Sequence, residues 1–178
     1  MSIPKRIHIV GSTGSGKTYL AEKLSRQFNL YYGELDTVMW SGPTELAGKN
    51  SPEKRDQLLH DIIDRECWIV EGVYYKWLAS SFERAEQIIF LDIPVFRRDA
   101  RIVLRFIRQK LKMERAVYKQ TFTGLLKMLK WNHEFENQFK QDILMFLKPY
   151  EKKMIILKKS AEIQNLIEDG RFITTEAR

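Results

Sequence analysis

At 178 residues, 44% hydrophobic and 30% charged, the chain is long enough to bury a full core as one domain and too apolar to be disordered. Its formal net charge of +7 is concentrated: Val95 to Lys130 holds eleven Lys or Arg against Asp99 and Glu114, so the rest of the chain carries −2 and is not a basic domain. No apolar run approaches the ~20 residues that cross a bilayer, the single Cys67 excludes an internal disulfide, and His8, His60 and His133 lie too far apart to suggest a structural metal cluster.

In chain order, Met1 to Lys5 leads almost at once into Arg6-Ile7-His8-Ile9-Val10, an apolar β-branched run that reads as a buried strand. That start leaves no room for a signal peptide, and with a lone thiol at the head of a later strand it predicts a cytoplasmic protein with Cys67 buried and reduced. Next comes Gly11-Ser12-Thr13-Gly14-Ser15-Gly16-Lys17-Thr18, which fits the G-x-x-x-x-G-K-[ST] phosphate-binding loop at every fixed position. Tyr19 to Phe28 follows with Leu20, Ala21, Leu24 and Phe28 at helical spacing, so the loop stands between a strand and a helix, as its chemistry requires. Glycines let successive N–H groups converge on phosphate oxygens, the helix adds its positive end, Lys17 supplies a mobile charge, and Thr18 is placed to ligate magnesium. Gly11, Ser12, Thr13, Gly14, Ser15, Gly16, Lys17, Thr18 and Tyr19 form the candidate nucleotide-binding set.

Leu30 to Leu35 reads as a second strand ending at Asp36, followed by Trp40 and a loop through Gly42, Pro43, Gly48 and Asn50. Ser51 and Pro52 start a helix to about Arg65, with Leu58, Leu59, Ile62 and Ile63 on one face. A third strand, Cys67 to Val70, runs into Glu71-Gly72-Val73-Tyr74. A short helix is predicted from Lys76 to about Ala85, then a fourth strand, Gln87 to Leu91. Asp92 fits the cap of the helix that Pro94 opens, and on that ground is left out of the site.

From Val95 to about Met113 the period is helical, and Arg98, Arg101, Arg105 and Arg108 share one face. Such a stripe suits a lid over phosphates, a solvated surface or a nucleic-acid contact. One or two helices between Thr123 and Phe146 offer Leu125, Leu126, Met128, Leu129, Phe135, Phe139, Ile143, Leu144 and Leu147 to the core, and Pro149 stops them. A fifth strand, Lys153 to Leu157, leads through Lys158 to Ser160, a candidate border of the nucleotide base, into a last helix with Ile163, Leu166 and Ile167 inward. Gly170 ends that helix, and 171–178 reads as a tail. The expected organisation is a single domain over 1–170 with a lid region at about 95–130.

Five strands alternating with helices predict an α/β fold with a parallel sheet covered on both faces, whose ligands gather at the carboxyl ends of the strands. That edge collects the loop, Asp36 as a candidate base for an acceptor hydroxyl, and Glu71 as a candidate magnesium-shell ligand beside Thr18. Trp40 and Tyr74 could wall an acceptor pocket or pack in the core, and Arg55 could reach an anionic acceptor or lie on the surface.

These residues resemble the small P-loop kinases related to adenylate and shikimate kinases, and more closely the bacterial topology modulation (FlaR-like) proteins. The resemblance is carried by Ile9 to Thr18, Leu35-Asp36 with Trp40, Trp68-Ile69-Val70-Glu71-Gly72 with Tyr74, Leu91-Asp92-Ile93-Pro94, and Arg101 with Arg105. It implies a three-layer P-loop NTPase fold, strand order 2-3-1-4-5, a mobile lid contributing Arg101 and Arg105, and ATP with magnesium. The chain departs from the family pattern at Glu71-Gly72-Val73-Tyr74, where the pattern has Asp-Gly-Asn-Tyr, and at 41–50, which lacks a Trp-Lys-Pro-Gly-Trp character. The function expected is phosphotransfer from ATP to a small-molecule acceptor, a nucleoside or nucleotide among the candidates. The alternative is a nucleotide-binding regulator that contacts nucleic acid through the basic segment.

Overall fold

A computed structural model describes residues 4–42, 48–113 and 121–169. The expectations for the centre of the loop after Trp40, for part of the lid region and for the tail fall outside those residues. Five strands, β1 (Arg6–Gly11), β2 (Tyr31–Glu34), β3 (Trp68–Gly72), β4 (Gln87–Leu91) and β5 (Met154–Leu157), form one parallel sheet in the order β2-β3-β1-β4-β5. The helices are α1 (Lys17–Phe28), α2 (Leu35–Met39), α3 (Pro52–Ile63), α4 (Ala79–Arg84), α5 (Val95–Lys110), α6 (Phe122–Glu134), α7 (Lys140–Leu147) and α8 (Ser160–Asp169). A π-helical turn, Phe135–Phe139, joins α6 to α7.

Alternation along the strands divides the core in two. Ile7, Ile9, Ile69, Ile89 and Leu91 meet Leu20, Leu24, Ile163 and Leu166 of α1 and α8 on one face of the sheet. Val10, Trp68, Val70, Ile88 and Phe90 meet Leu59, Ile62, Phe82, Phe135, Ile143 and Leu147 on the other. Burial on both faces explains why the strands read as continuous apolar runs. This is the three-layer P-loop NTPase fold, with the strand order that the resemblance implies.

Several local expectations are corrected. Leu35 opens α2 instead of closing β2, with its side chain close against Gly72 of the neighbouring strand, so Asp36 stands in the first turn of α2 rather than at a strand end. The helix expected from Lys76 begins only at Ala79. Cys67 precedes β3 and is half-buried. Leu126 and Phe139 are exposed rather than in the core. Asp92 does not cap α5, whose N-cap residue is Pro94; its carboxylate pairs with Lys140 at 2.6 Å, and Lys140 also reaches Glu136 at 2.9 Å. The four-arginine face is divided as well, for Arg98 is buried against Glu136 and the ring of Phe135 while Arg108 is exposed.

Candidate active site

The phosphate loop connects β1 to α1, and two of its glycines take left-handed backbone, Gly14 at φ 76° and Gly16 at φ 100°. Gly14 is required twice over, since a Cβ there would lie 2.8 Å from the carbonyl oxygen of Arg98. Ser12 and Ser15 are buried in the loop, and α1 opens at Lys17 with its N-terminal end toward it.

Parallel pairing of β1 with β3 sets Ile9 beside Glu71 and Val10 beside Gly72, which brings an acid 53 residues away in sequence to the loop. Thr18 Oγ1 donates to Glu71 Oε1 at 2.7 Å, and Lys17 Nζ lies 3.8 Å from Glu71 Oε2 while donating to the Ser12 carbonyl at 3.1 Å. The hydroxyl and carboxylate expected to share a metal shell are therefore adjacent. Tyr32 on β2 donates toward Glu34 at 3.0 Å and Glu71 at 3.3 Å. Burial, with the two carboxylates beside it, pushes the Tyr32 phenol far up, so it stays a donor. Burial also raises the Glu34 carboxyl, and the charges of Glu71 and Asp36 add to that.

Asp36, Trp40 and Tyr74 form one hydrogen-bonded chain. Tyr74 donates its hydroxyl to Asp36 Oδ1 at 2.8 Å and accepts from Trp40 Nε1 at 3.2 Å. Asp36 is exposed, so its carboxylate is open to a ligand as well as held by the phenol.

On the other side of the loop, Arg101 donates from Nη1 to the carbonyls of Gly14 and Ser15 at 3.0 and 2.9 Å, and from Nη2 to Ser160 Oγ at 2.8 Å. Burial and the neighbouring charge of Arg97 lower its pKa. With Gly16, Tyr19, Ser160, Ile163 and Gln164 it lines a cavity of about 340 Å³. Arg105 turns away toward α6, where Nη2 lies 3.8 Å from Met128 Sδ, so the structure brings Arg101 to the loop and leaves Arg105 apart from it. Arg55 lies with its guanidinium 4.5 Å from the ring centroid of Trp77 and pairs with Asp56.

A connection that sequence reasoning misses runs from Ser12. Its hydroxyl donates to Asn132 Oδ1 at 3.0 Å, Asn132 Nδ2 donates to Asp99 Oδ1 at 2.6 Å, and His133 Nε2 lies 2.8 Å from Asp99 Oδ2. Asn132 is fully buried at an inward position of α6, and a lone polar residue in an apolar helical pattern is the signal that could have marked it. A second cavity of about 400 Å³ runs outward from Ser12 and Thr13. Among the described residues no three His, Cys, Asp or Glu side chains converge to hold a metal. Among them, too, no helix is long and apolar enough to cross a membrane.

The fold and the loop together are those of the P-loop NTPase fold. No protein-family model matches the chain, and no curated protein does. Among solved structures it is similar to a sugar kinase from a Janibacter species, at 18% identity over 93% of this chain and 91% of that one with a TM-score of 0.51. A shikimate kinase from Bacteroides thetaiotaomicron is similar at 16% identity, covering 93% and 96% of the two chains, TM-score 0.51. A gluconokinase from Sinorhizobium meliloti is similar at 13% identity, covering 95% and 90%, TM-score 0.53. At these identities the likeness is one of fold.

Proposed function

We propose that this protein is a cytoplasmic, magnesium- and ATP-dependent phosphotransferase acting on a small-molecule acceptor. The observation that carries the reading is the contact of Thr18 and Lys17 with Glu71 at the mouth of a glycine loop that opens on a helix N-terminus. Loop amides and Lys17 hold the β- and γ-phosphates; Thr18 and Glu71 hold magnesium, which when bound neutralises charge on those oxygens. Arg101 and Ser160 border the base beside Tyr19. Asp36, tethered by Tyr74, accepts the proton of the acceptor hydroxyl. Arg105 joins the transferring group when the part of the lid region at about 95–130 that lies beyond Ile102 moves within the single domain. That the solved neighbours are named as sugar, shikimate and gluconate kinases supports a small-molecule acceptor. The resemblance to topology modulation proteins belongs to this proposal as a kinship of pattern, with phosphotransfer rather than strand passage as the activity.

Lys17→Ala tests it. The side chain is outside both core clusters, so circular dichroism is expected to match the wild type, while magnesium-dependent ATP turnover falls at least ~10²-fold. A folded variant with full turnover refutes the assignment.

A further inference from the structure

The cavity that opens from Ser12 and Thr13 has walls of an unusual kind for a phosphate acceptor. Between the β3 loop and the α6–α7 arm it is faced by the rings of Tyr74, Tyr75, Trp77, Trp131, Phe135 and Phe139. Tyr74 and Trp77 meet at 5.9 Å between ring centroids and a 45° tilt, and the remaining lining includes Met39, Val73 and Ile143. Its charged members are Lys49, Lys76 and Glu134. Both lysines are exposed, with their ammonium groups near the rings of Trp40 and Tyr75, and Glu134 pairs with Lys130. The Tyr74 hydroxyl is engaged by Asp36 and Trp40. No arginine lines this cavity among the described residues: Arg101 is spent on the loop carbonyls, Arg98 on Glu136, and Arg55 lies on Trp77 and Asp56.

A polyhydroxylated acceptor entering such a cavity leaves most of its hydroxyls without partners, which is costly for every group taken out of water. A sugar acid would also want a forked guanidinium for its carboxylate, and the described wall provides none. A flat ring loses little in leaving water and gains offset or edge contacts on several faces. The volume of about 400 Å³ is that of an ordinary small-ligand site, and Ser12 and Thr13 place its inner end at the phosphate loop.

Resting on the phosphotransferase reading of the loop, we propose that the acceptor is a planar aromatic or heteroaromatic compound. Its ring stacks among Tyr74, Trp77, Trp131 and Phe139, and its hydroxyl is carried on an arm that points toward Ser12 and Asp36. The reaction is transfer of the γ-phosphoryl of ATP to that hydroxyl oxygen. The bond from the γ-phosphorus to the bridging oxygen breaks, the bond to the acceptor oxygen forms, the hydroxyl proton goes to Asp36, and ADP leaves.

The test is calorimetric titration of the whole protein without nucleotide. Adenosine, thymidine and 4-hydroxybenzyl alcohol serve as aromatic probes, and gluconate and shikimate as polyhydroxylated ones. At least one aromatic probe is expected to bind saturably and at least tenfold more tightly than either acid. Trp131→Leu, a change at a half-exposed position, is expected to weaken that binding about tenfold with an unchanged circular dichroism spectrum. Tighter binding of gluconate or shikimate, binding of none of the aromatic probes, or aromatic binding indifferent to Trp131→Leu overturns the proposal. Because no ATP is present, these results are separate from the Lys17→Ala turnover test. An aromatic probe that binds a protein without magnesium-ATP turnover sinks the enzyme and leaves the pocket assignment standing.

Discussion

His8 sits at the middle of β1 with no exposure, its Nδ1 2.9 Å from Ser81 Oγ and its ring stacked on Phe82 at 4.1 Å. Nε2 is buried with no hydrogen-bond partner among the described residues, and burial lowers the pKa of the ring from 6.5 to about 3, which holds it neutral. The unfolded chain takes up this proton near 6.5 and the folded one does not. The contribution is therefore complete above 6.5 and is lost as pH falls toward 3, at about 1.4 kcal/mol per pH unit. Urea unfolding at about pH 6.5 and about pH 5 is expected to show a loss of roughly 2 kcal/mol in the wild type that is much smaller in His8→Gln. An equal loss in both removes His8 as the cause. Gly14 is the other residue with a sharp requirement. Gly14→Ala must place a Cβ 2.8 Å from the Arg98 carbonyl in left-handed backbone, and is expected to lower stability by about 2 kcal/mol and to weaken nucleotide binding, as read by urea midpoint and ATP titration. A stable variant with wild-type affinity shows that the loop and α5 separate at little cost.

At the scale of elements, α6 is fastened to the phosphate loop through the buried amide of Asn132. Asn132→Leu strips partners from the Ser12 hydroxyl and from one Asp99 oxygen, and is expected to cost about 1–3 kcal/mol in urea unfolding and to weaken ATP binding. Unchanged affinity confines Asn132 to a structural role. The inward position of Asn132 is legible in the helical pattern but its partner is not, because nothing local tells an inward asparagine which loop it will meet. What was legible followed from periodicity and from the rule about strand ends. The five strands were readable as apolar runs, and Glu71 reached the loop because any residue closing β3 must lie beside the end of β1. The misses came where tertiary contacts outweighed local preference. Leu35 lies in α2 with its side chain against Gly72, Asp92 pairs with Lys140 instead of a helix end, and Arg98 is buried with Glu136 rather than on the basic stripe. A helical stripe in sequence fixes angular position only; how deeply each arginine sits depends on helices packed against α5 from elsewhere in the chain.

Over the whole molecule, the described part of the basic excess between Val95 and Lys130 is not one open surface. Arg98 is buried and Arg101 is hydrogen-bonded to the loop, while Arg97, Arg108, Lys110, Lys112, Lys127 and Lys130 are exposed along separate elements. Non-specific DNA or RNA binding is therefore expected to be weak at low salt, with a shallow dependence of affinity on salt concentration and no response to ATP. A steep, ATP-responsive dependence would instead favour the nucleic-acid regulator. The close crossing of Gly14 and α5 bears on how such a protein could work. Where Arg98 and Ile102 lie against Gly14, and Arg101 grips the carbonyls beside it, the first two turns of α5 are packed onto the glycine loop itself. Any hinge for an arm that swings over the substrates must be sought after Ile102. Grafting a foreign arm between such proteins would have to respect that junction, keeping the root of the helix and exchanging only what lies beyond it.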